Sequence, residues 1–188
     1  RILEADIDKA CRRVLEAKYT LGLFADPYRF CDPKRLKTDI YNDAHRRAAR
    51  DMAAETFVLL KNEGDILPLQ KKGVIALIGP LADTRNNLVG CWSTGDKPEL
   101  YSTLRESLSR SIGSKATLLY SQGCNICSDE ALQNASTFER PIPRVDDAKE
   151  RERALEIARE ADVIVCAMGE MAEMSGESSS RASISPPD

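Results

Sequence analysis

Histidine is almost absent from this chain of 188 residues, in which His45 is the only one. A zinc site built on several imidazoles is therefore excluded, and a histidine-dependent catalytic triad would have to use His45. Any chemistry in this chain must depend on carboxylates, cysteines or backbone groups.

The chain also lacks a large excess of either charge and lacks long apolar runs. Its 27 lysines and arginines nearly balance 30 aspartates and glutamates, which gives a net charge of −3 and no electrostatic reason to bind nucleic acid or an anionic membrane. No apolar run approaches the roughly 20 residues of a membrane-spanning helix. With 42% hydrophobic residues, we expect a folded domain that binds neither nucleic acid nor membrane.

The glycine motifs of nucleotide-binding proteins are missing too. The segment Gly79–Asp83 follows an apolar run, but it lacks the Gly-x-Gly-x-x-Gly spacing, and no Gly-x-x-x-x-Gly-Lys-Ser/Thr occurs. The sequence therefore gives little support to a nucleotide-binding function.

The six cysteines include one close pair, Cys124 and Cys127. A zinc site of this kind needs a second pair, which the chain lacks, so free thiols or an incidental disulfide are favoured over a metal or redox site. Cys11 and Cys166 lie at apolar-periodic positions and are expected to be buried. We predict no metal and no cofactor.

Apolar periodicity predicts helices in the first part of the chain and alternating strands and helices in the second part. The predicted helices are 5–19, 44–60 (with Asp43 as N-cap), 98–112 and 147–161, and the predicted strands are 74–79, 116–120 and 162–168. This alternation is typical of an α/β fold with an open, mainly parallel sheet and helices on both faces.

In such a sheet, ligands bind at the loops that follow the strands. The loop 169–185 is the most informative, because Glu170, Glu173 and Glu177 lie close together there among serines and glycines. A solvated loop would also carry glutamates, but a carboxyl held protonated in a partly dry pocket could act as a general acid.

Two further loops follow predicted strands, 79–97 and the polar loop 121–146, and Trp92 lies between small residues in the first of them. These neighbours favour an exposed turn. Its indole is suited either to stacking on a sugar ring or to a contact between domains.

Five stretches in succession resemble glycoside hydrolase family 3, the β-glucosidase type with a barrel domain followed by an α/β sandwich. They are Ile7–Phe24, Ala54–Leu69, Val74–Pro80, Gly90–Ser93 and Ser175–Arg181. The resemblance implies that residues 1–24 end the (β/α) barrel domain as a terminal helix, 25–42 form an interdomain linker, and 43–188 begin the α/β sandwich domain, incomplete at its C-terminal end.

The resemblance also implies a retaining hydrolase of β-linked glucosides or related sugars, acting on oligosaccharides or aryl β-glucosides. Glu177 is then the general acid/base, with Glu173 as the runner-up, and Trp92, Ser175 and Arg181 contact substrate. The nucleophile is an aspartate of the barrel domain, outside this chain, so the chain alone is expected to be inactive. Family members favour a periplasmic or secreted location.

The chain departs from the family pattern after Arg181, where Pro186 replaces a strand-like aliphatic residue. The alternative function, from another class, is a non-catalytic open α/β module that binds a carbohydrate or a nucleotide.

Overall fold

The structure, a computed structural model, describes residues 2–90, 92–93, 97–135, 141–177, 179–180 and 182–185. The chain divides into two compact units, residues 1–64 and 65–188. Within the described ranges, no helix is both long and apolar enough to cross a membrane. The boundaries of the interdomain linker, after residue 24 and after residue 42, remain predictions from the sequence.

The described part of the first unit contains three α-helices: α1 (Glu4–Thr20), α2 (Arg35–Thr38) and α3 (Asp43–Glu55). The helix predicted at 5–19 is confirmed. Asn42, rather than Asp43, caps α3, because its side-chain oxygen accepts a hydrogen bond from the His45 amide at 2.9 Å.

The helix α3 is also shorter than the predicted 44–60. Thr56 follows its last residue, and the Thr56 hydroxyl donates to the Ala53 carbonyl at 2.7 Å. The next four residues, Phe57–Leu60, are β-branched, aromatic or aliphatic, and they lie outside any helix or strand with large exposed side chains.

Most apolar residues of the first unit are exposed. No described residue of α1 or α3 is buried. The prediction that Cys11 is buried is therefore wrong. Periodicity identified the apolar face of α1, but a buried side chain also needs a partner surface.

In its described residues, the second unit is built on three parallel strands: β1 (Val74–Ile78), β2 (Thr117–Ser121) and β3 (Val163–Cys166). The sheet order is β2-β1-β3, with Ala76 opposite Leu119 on one side and Ile164 on the other. This confirms the predicted open parallel sheet. Cys166 is exposed, against expectation, because β3 is an edge strand whose alternate residues face solvent.

The helices of this unit are α4 (Leu104–Ile112), α5 (Glu130–Asn134) and α6 (Asp147–Glu160). The helix predicted from Pro98 is interrupted. Residues Pro98–Leu100 form a single 3₁₀ turn, and α4 begins after Thr103, which forms a capping box with Glu106. The predicted polar loop 121–146 contains α5.

The crossovers place helices on both faces of the sheet. The helix α4 connects β1 to β2, and α6 connects β2 to β3 on the other side of β1. Since parallel crossovers are right-handed, connections that run in opposite directions cover opposite faces. The residues Ile75, Ala76 and Leu77 of β1 are consequently almost fully buried.

Gly79 lets the loops after β1 and β3 converge. Its φ is +136°, and an added Cβ would lie 2.8 Å from the carbonyl carbon of Ala167. The Ala167 amide donates to the Ile78 carbonyl at 2.7 Å, and the Leu81 amide donates back to the Ala167 carbonyl at 3.4 Å. The two strand ends are therefore joined where their loops begin.

We predict that Gly79→Ala lowers the free energy of unfolding by more than Gly113→Ala does. Both positions have positive φ, which costs about 1–3 kcal/mol for a residue with a Cβ. Only the Gly79 variant adds a clash with backbone, since nothing lies within 4 Å of a Cβ at Gly113. Urea unfolding of both variants tests this, and equal losses would contradict it.

Candidate functional site

Loops from all three strands meet at the carboxyl edge of the sheet. The order β2-β1-β3 makes the gap between β1 and β3 a topological switch point, where ligands bind in open α/β sheets. A cavity of about 710 Å³ lies at this edge. Its lining includes Pro80, Asn125, Arg151, Met168 and Glu170.

The loop after β3 is fixed by two buried methionines. Met171 and Met174 are 3% and 7% exposed, and they pack in a cluster with Ile126, Cys127 and Ile142. Between them the chain makes one 3₁₀ turn, Ala172–Met174. This loop is consequently held to a core and is not a solvated excursion.

The three glutamates of the loop have different surroundings. Glu170 is exposed and lines the cavity, Glu173 is half-buried within the 3₁₀ turn, and Glu177 is exposed. Gly176, at φ +101°, turns the chain directly before Glu177. The Ser179 amide donates to the Gly176 carbonyl at 3.2 Å and closes this turn.

The other predicted site residues divide between two loops. Ser175 lies in the same loop as the glutamates, with its hydroxyl donating to the Ala172 carbonyl at 3.4 Å. Trp92 lies in the loop after β1 and is 74% exposed, as its sequence neighbours predicted. Arg181 and Pro186 lie outside the described residues.

Asn87 joins these two loops, and the sequence reasoning missed it. Its side-chain oxygen accepts a hydrogen bond from the Ala172 amide at 2.7 Å, across 85 residues of sequence. Asn87 belongs to the 3₁₀ turn Asn86–Leu88, and Arg85 precedes that turn. No local pattern signals a pairing over this distance.

Two ion pairs fix the loop after β1 to the start of α4. Arg85 binds Glu106 at 2.5 Å, and this hydrogen bond is the main reason that the pKa of Glu106 lies below its usual range. Asp83 accepts from the Thr103 hydroxyl at 2.8 Å and pairs with Arg105 at 2.9 Å. The Thr-x-x-Glu pattern at Thr103 and Glu106 is the local sequence feature that indicates where α4 begins.

The cysteine pair lies beside the cavity as free thiols. Cys124 is half-buried, and burial raises the pKa of its thiol, while Cys127 is buried in the methionine cluster. Within the described residues, no group of three or more His, Cys, Asp or Glu side chains could hold a metal ion.

Asp147 fastens the loop after β2 to the start of α6. Its carboxylate accepts a hydrogen bond from the Asn125 amide at 2.9 Å. This bond is the main cause of a pKa below the usual range for that carboxyl, and Arg144 and Arg151 add to the effect.

Comparison with known proteins identifies the family. Residues 57–188 match the model described as the glycosyl hydrolase family 3 C-terminal domain. The chain belongs to glycosyl hydrolase family 3. The resemblance found in the sequence is therefore confirmed, and the parallel sheet described above is the fold of this family's C-terminal domain.

The family 3 relatives of this chain are named β-glucosidases and β-xylosidases. The periplasmic β-glucosidase of Salmonella typhimurium is 35% identical over 193 residues, which cover 100% of this chain and 25% of that protein. A β-xylosidase of Formosa agariphila is 27% identical over an alignment that covers 95% of this chain and 23% of that protein.

A solved structure of the same family agrees with the fold. The β-glucosidase of Listeria innocua, in complex with isofagomine, matches with a TM-score of 0.74 and 28% identity over 99% of this chain and 23% of that one. The chain thus spans about a quarter of the length of these relatives.

The lowered pKa of Asp147 predicts a loss of stability in acid. A carboxyl whose pKa is depressed by folding stabilises the folded state above its unfolded pKa, about 3.9, and loses that contribution as the pH falls through the folded value. Urea unfolding between about pH 2 and pH 6 measures this.

The Asp147→Asn variant is the matched control, because it keeps an oxygen acceptor for the Asn125 amide but cannot ionise. We expect its stability deficit relative to wild type to shrink as the pH falls. A deficit that stays constant over that range would contradict the assignment.

Proposed function

We propose that this chain supplies the general acid/base carboxylate of a retaining family 3 glycosidase that acts on β-linked glucosides or related sugars. Glu177 is the proposed group, with Glu173 as the runner-up. The observation that carries the choice is an exposed Glu177 at a tight turn, on a loop held to the core by two buried methionines. Glu173 is half-buried within the preceding 3₁₀ turn, which leaves it less accessible to a sugar.

The mechanism requires a second carboxyl. In retaining hydrolysis the two carboxyl groups lie about 5–5.5 Å apart, one attacking the anomeric carbon while the other protonates the leaving oxygen. Glu177 would donate that proton and then, as a carboxylate, take a proton from the water that attacks the glycosyl-enzyme. The nucleophile would be an aspartate of a barrel domain in the longer protein, so we expect the 188-residue chain alone to be inactive.

The substrate would meet the edge of the sheet that carries Trp92 and Ser175. An exposed indole provides an apolar face for the C–H groups of a pyranose ring, and Ser175 precedes the turn that presents Glu177. Arg181 is proposed to contact substrate on the family pattern alone. A periplasmic or secreted location is supported by the name of the Salmonella relative.

The test of the acid/base is Glu177→Ala in the longer enzyme. Loss of general acid catalysis is expected to lower kcat by about 10²- to 10⁴-fold on substrates with poor leaving groups. Activated aryl glycosides need little protonation and should lose less. Azide should restore turnover, because it attacks the glycosyl-enzyme without needing a base and leaves a β-glycosyl azide.

Glu173→Ala is the matched control for this experiment. We expect it to keep the leaving-group dependence of the wild type and to gain nothing from azide. If instead Glu173→Ala shows rescue and Glu177→Ala behaves as wild type, the roles are reversed. If azide rescues neither variant and both behave as wild type, the proposed function fails.

Substitutions of Trp92 distinguish a side chain that stacks on a sugar ring from one that makes a contact between domains. Trp92→Ala is expected to raise KM by about 2- to 10-fold, the range for loss of one aromatic contact, with little change in stability. Trp92→Phe keeps an aromatic face, so its KM should lie between the values of the wild type and of Trp92→Ala. An unchanged KM with a lower melting temperature would instead indicate a contact between domains.

A further inference from the structure

We infer that Asn87 is a positioning residue for the loop that carries Glu173 and Glu177. The inference concerns how that loop is held, and its kinetic part rests on the proposed function. Its direct support is the 2.7 Å hydrogen bond from the Ala172 amide to the side-chain oxygen of Asn87.

The bond acts at a point where the loop lacks a local partner. Ala172 is the first residue of a 3₁₀ turn, and the first amides of any helical turn have no acceptor within it. Met171 occupies the capping position, and in the described part of the chain its side chain makes no capping hydrogen bond. Asn87 therefore caps this turn from another segment, as an asparagine at the N-cap position would do locally.

Asn87 is itself held in place. Arg85, two residues earlier, donates through Nη2 to Glu106 and through Nε to the Tyr101 carbonyl at 3.3 Å. The Leu88 amide donates to the Arg85 carbonyl at 3.3 Å and closes the turn that presents Asn87. The cap is thus connected through Arg85 to the start of α4.

The consequence is directional control of the loop. Met171 and Met174 set its depth through burial, which is non-directional. The hydrogen bond that the Ala172 amide donates to Asn87 sets the orientation of the 3₁₀ turn between them, and the chain leaves that turn toward Gly176 and Glu177. Trp92 lies five residues after Asn87 in the chain, so this bond connects the loop that contains the proposed sugar platform to the proposed acid/base loop.

Hydrogen exchange on the chain itself tests the contact without any assumption about activity. In Asn87→Ala, amides of the 3₁₀ turn should exchange about 2- to 10-fold faster than in wild type, the effect of losing one ordinary hydrogen bond. Asn87→Asp keeps an acceptor oxygen and should retain most of the protection. Unchanged exchange in Asn87→Ala would overturn the inference.

Kinetics of the longer enzyme test the consequence for catalysis. Asn87→Ala is expected to lower kcat by roughly 10-fold or more on poor leaving groups, since misplacing a catalytic group by about 1 Å can cost up to 10²-fold. Activated aryl glycosides should lose less, KM should change little, and Asn87→Asp should restore most of the rate. A loss equal for both substrate classes would overturn the positioning role.

Asn42→Ala is the matched control. It removes a 2.9 Å hydrogen bond of the same type, from the His45 amide at the start of α3, and also the 3.0 Å bond that the Asn42 side chain donates to the Thr38 carbonyl. It should lower stability without changing the leaving-group dependence. Wild-type behaviour of both glutamate variants would remove the proposed function, and hydrogen exchange would then still decide whether Asn87 holds the loop.

Discussion

The burial of Met171 and Met174 is the contact on which the candidate site depends. A loop with three glutamates and several serines has little reason to remain ordered in water, since its polar groups are as well solvated in many other conformations. Two thioether side chains in a cluster with Ile126, Cys127 and Ile142 provide that reason. The polar residues between and after them can therefore occupy defined positions at the sheet edge while remaining accessible.

The sheet in turn determines where that cluster can form. Because β2 and β3 both run parallel to β1, the loops after all three strands leave the same edge of the sheet. The loop after β2 brings Ile126 and Cys127, and α5 supplies Gln133, whose amide donates to the Ile142 carbonyl at 3.0 Å. The buried amide thus stabilises an otherwise irregular segment, and the segment completes the apolar floor under the loop after β3.

Local patterns were sufficient for the strands and insufficient for the contacts between loops. Apolar runs located β1, β2 and β3 within two residues, because a strand covered on both faces has few alternatives. The start of α4 was misplaced because the preference of proline for a first turn was given more weight than the Thr103–Glu106 capping pair. The prediction that Cys11 is buried was wrong, because periodicity shows which face of a helix is apolar and does not show what covers that face. The bond between Asn87 and Ala172 joins segments 85 residues apart, which no short-range signal encodes.

The run Phe57–Leu60 has a consequence for handling the chain as a separate polypeptide. Its four apolar side chains are all well over half exposed, with Leu60 at 92%. Consecutive β-prone residues without charge or proline are the composition that forms intermolecular sheets, and an ion pair between Lys61 and Glu63 borders the run on one side only. Self-association of the separate chain should therefore begin at this segment.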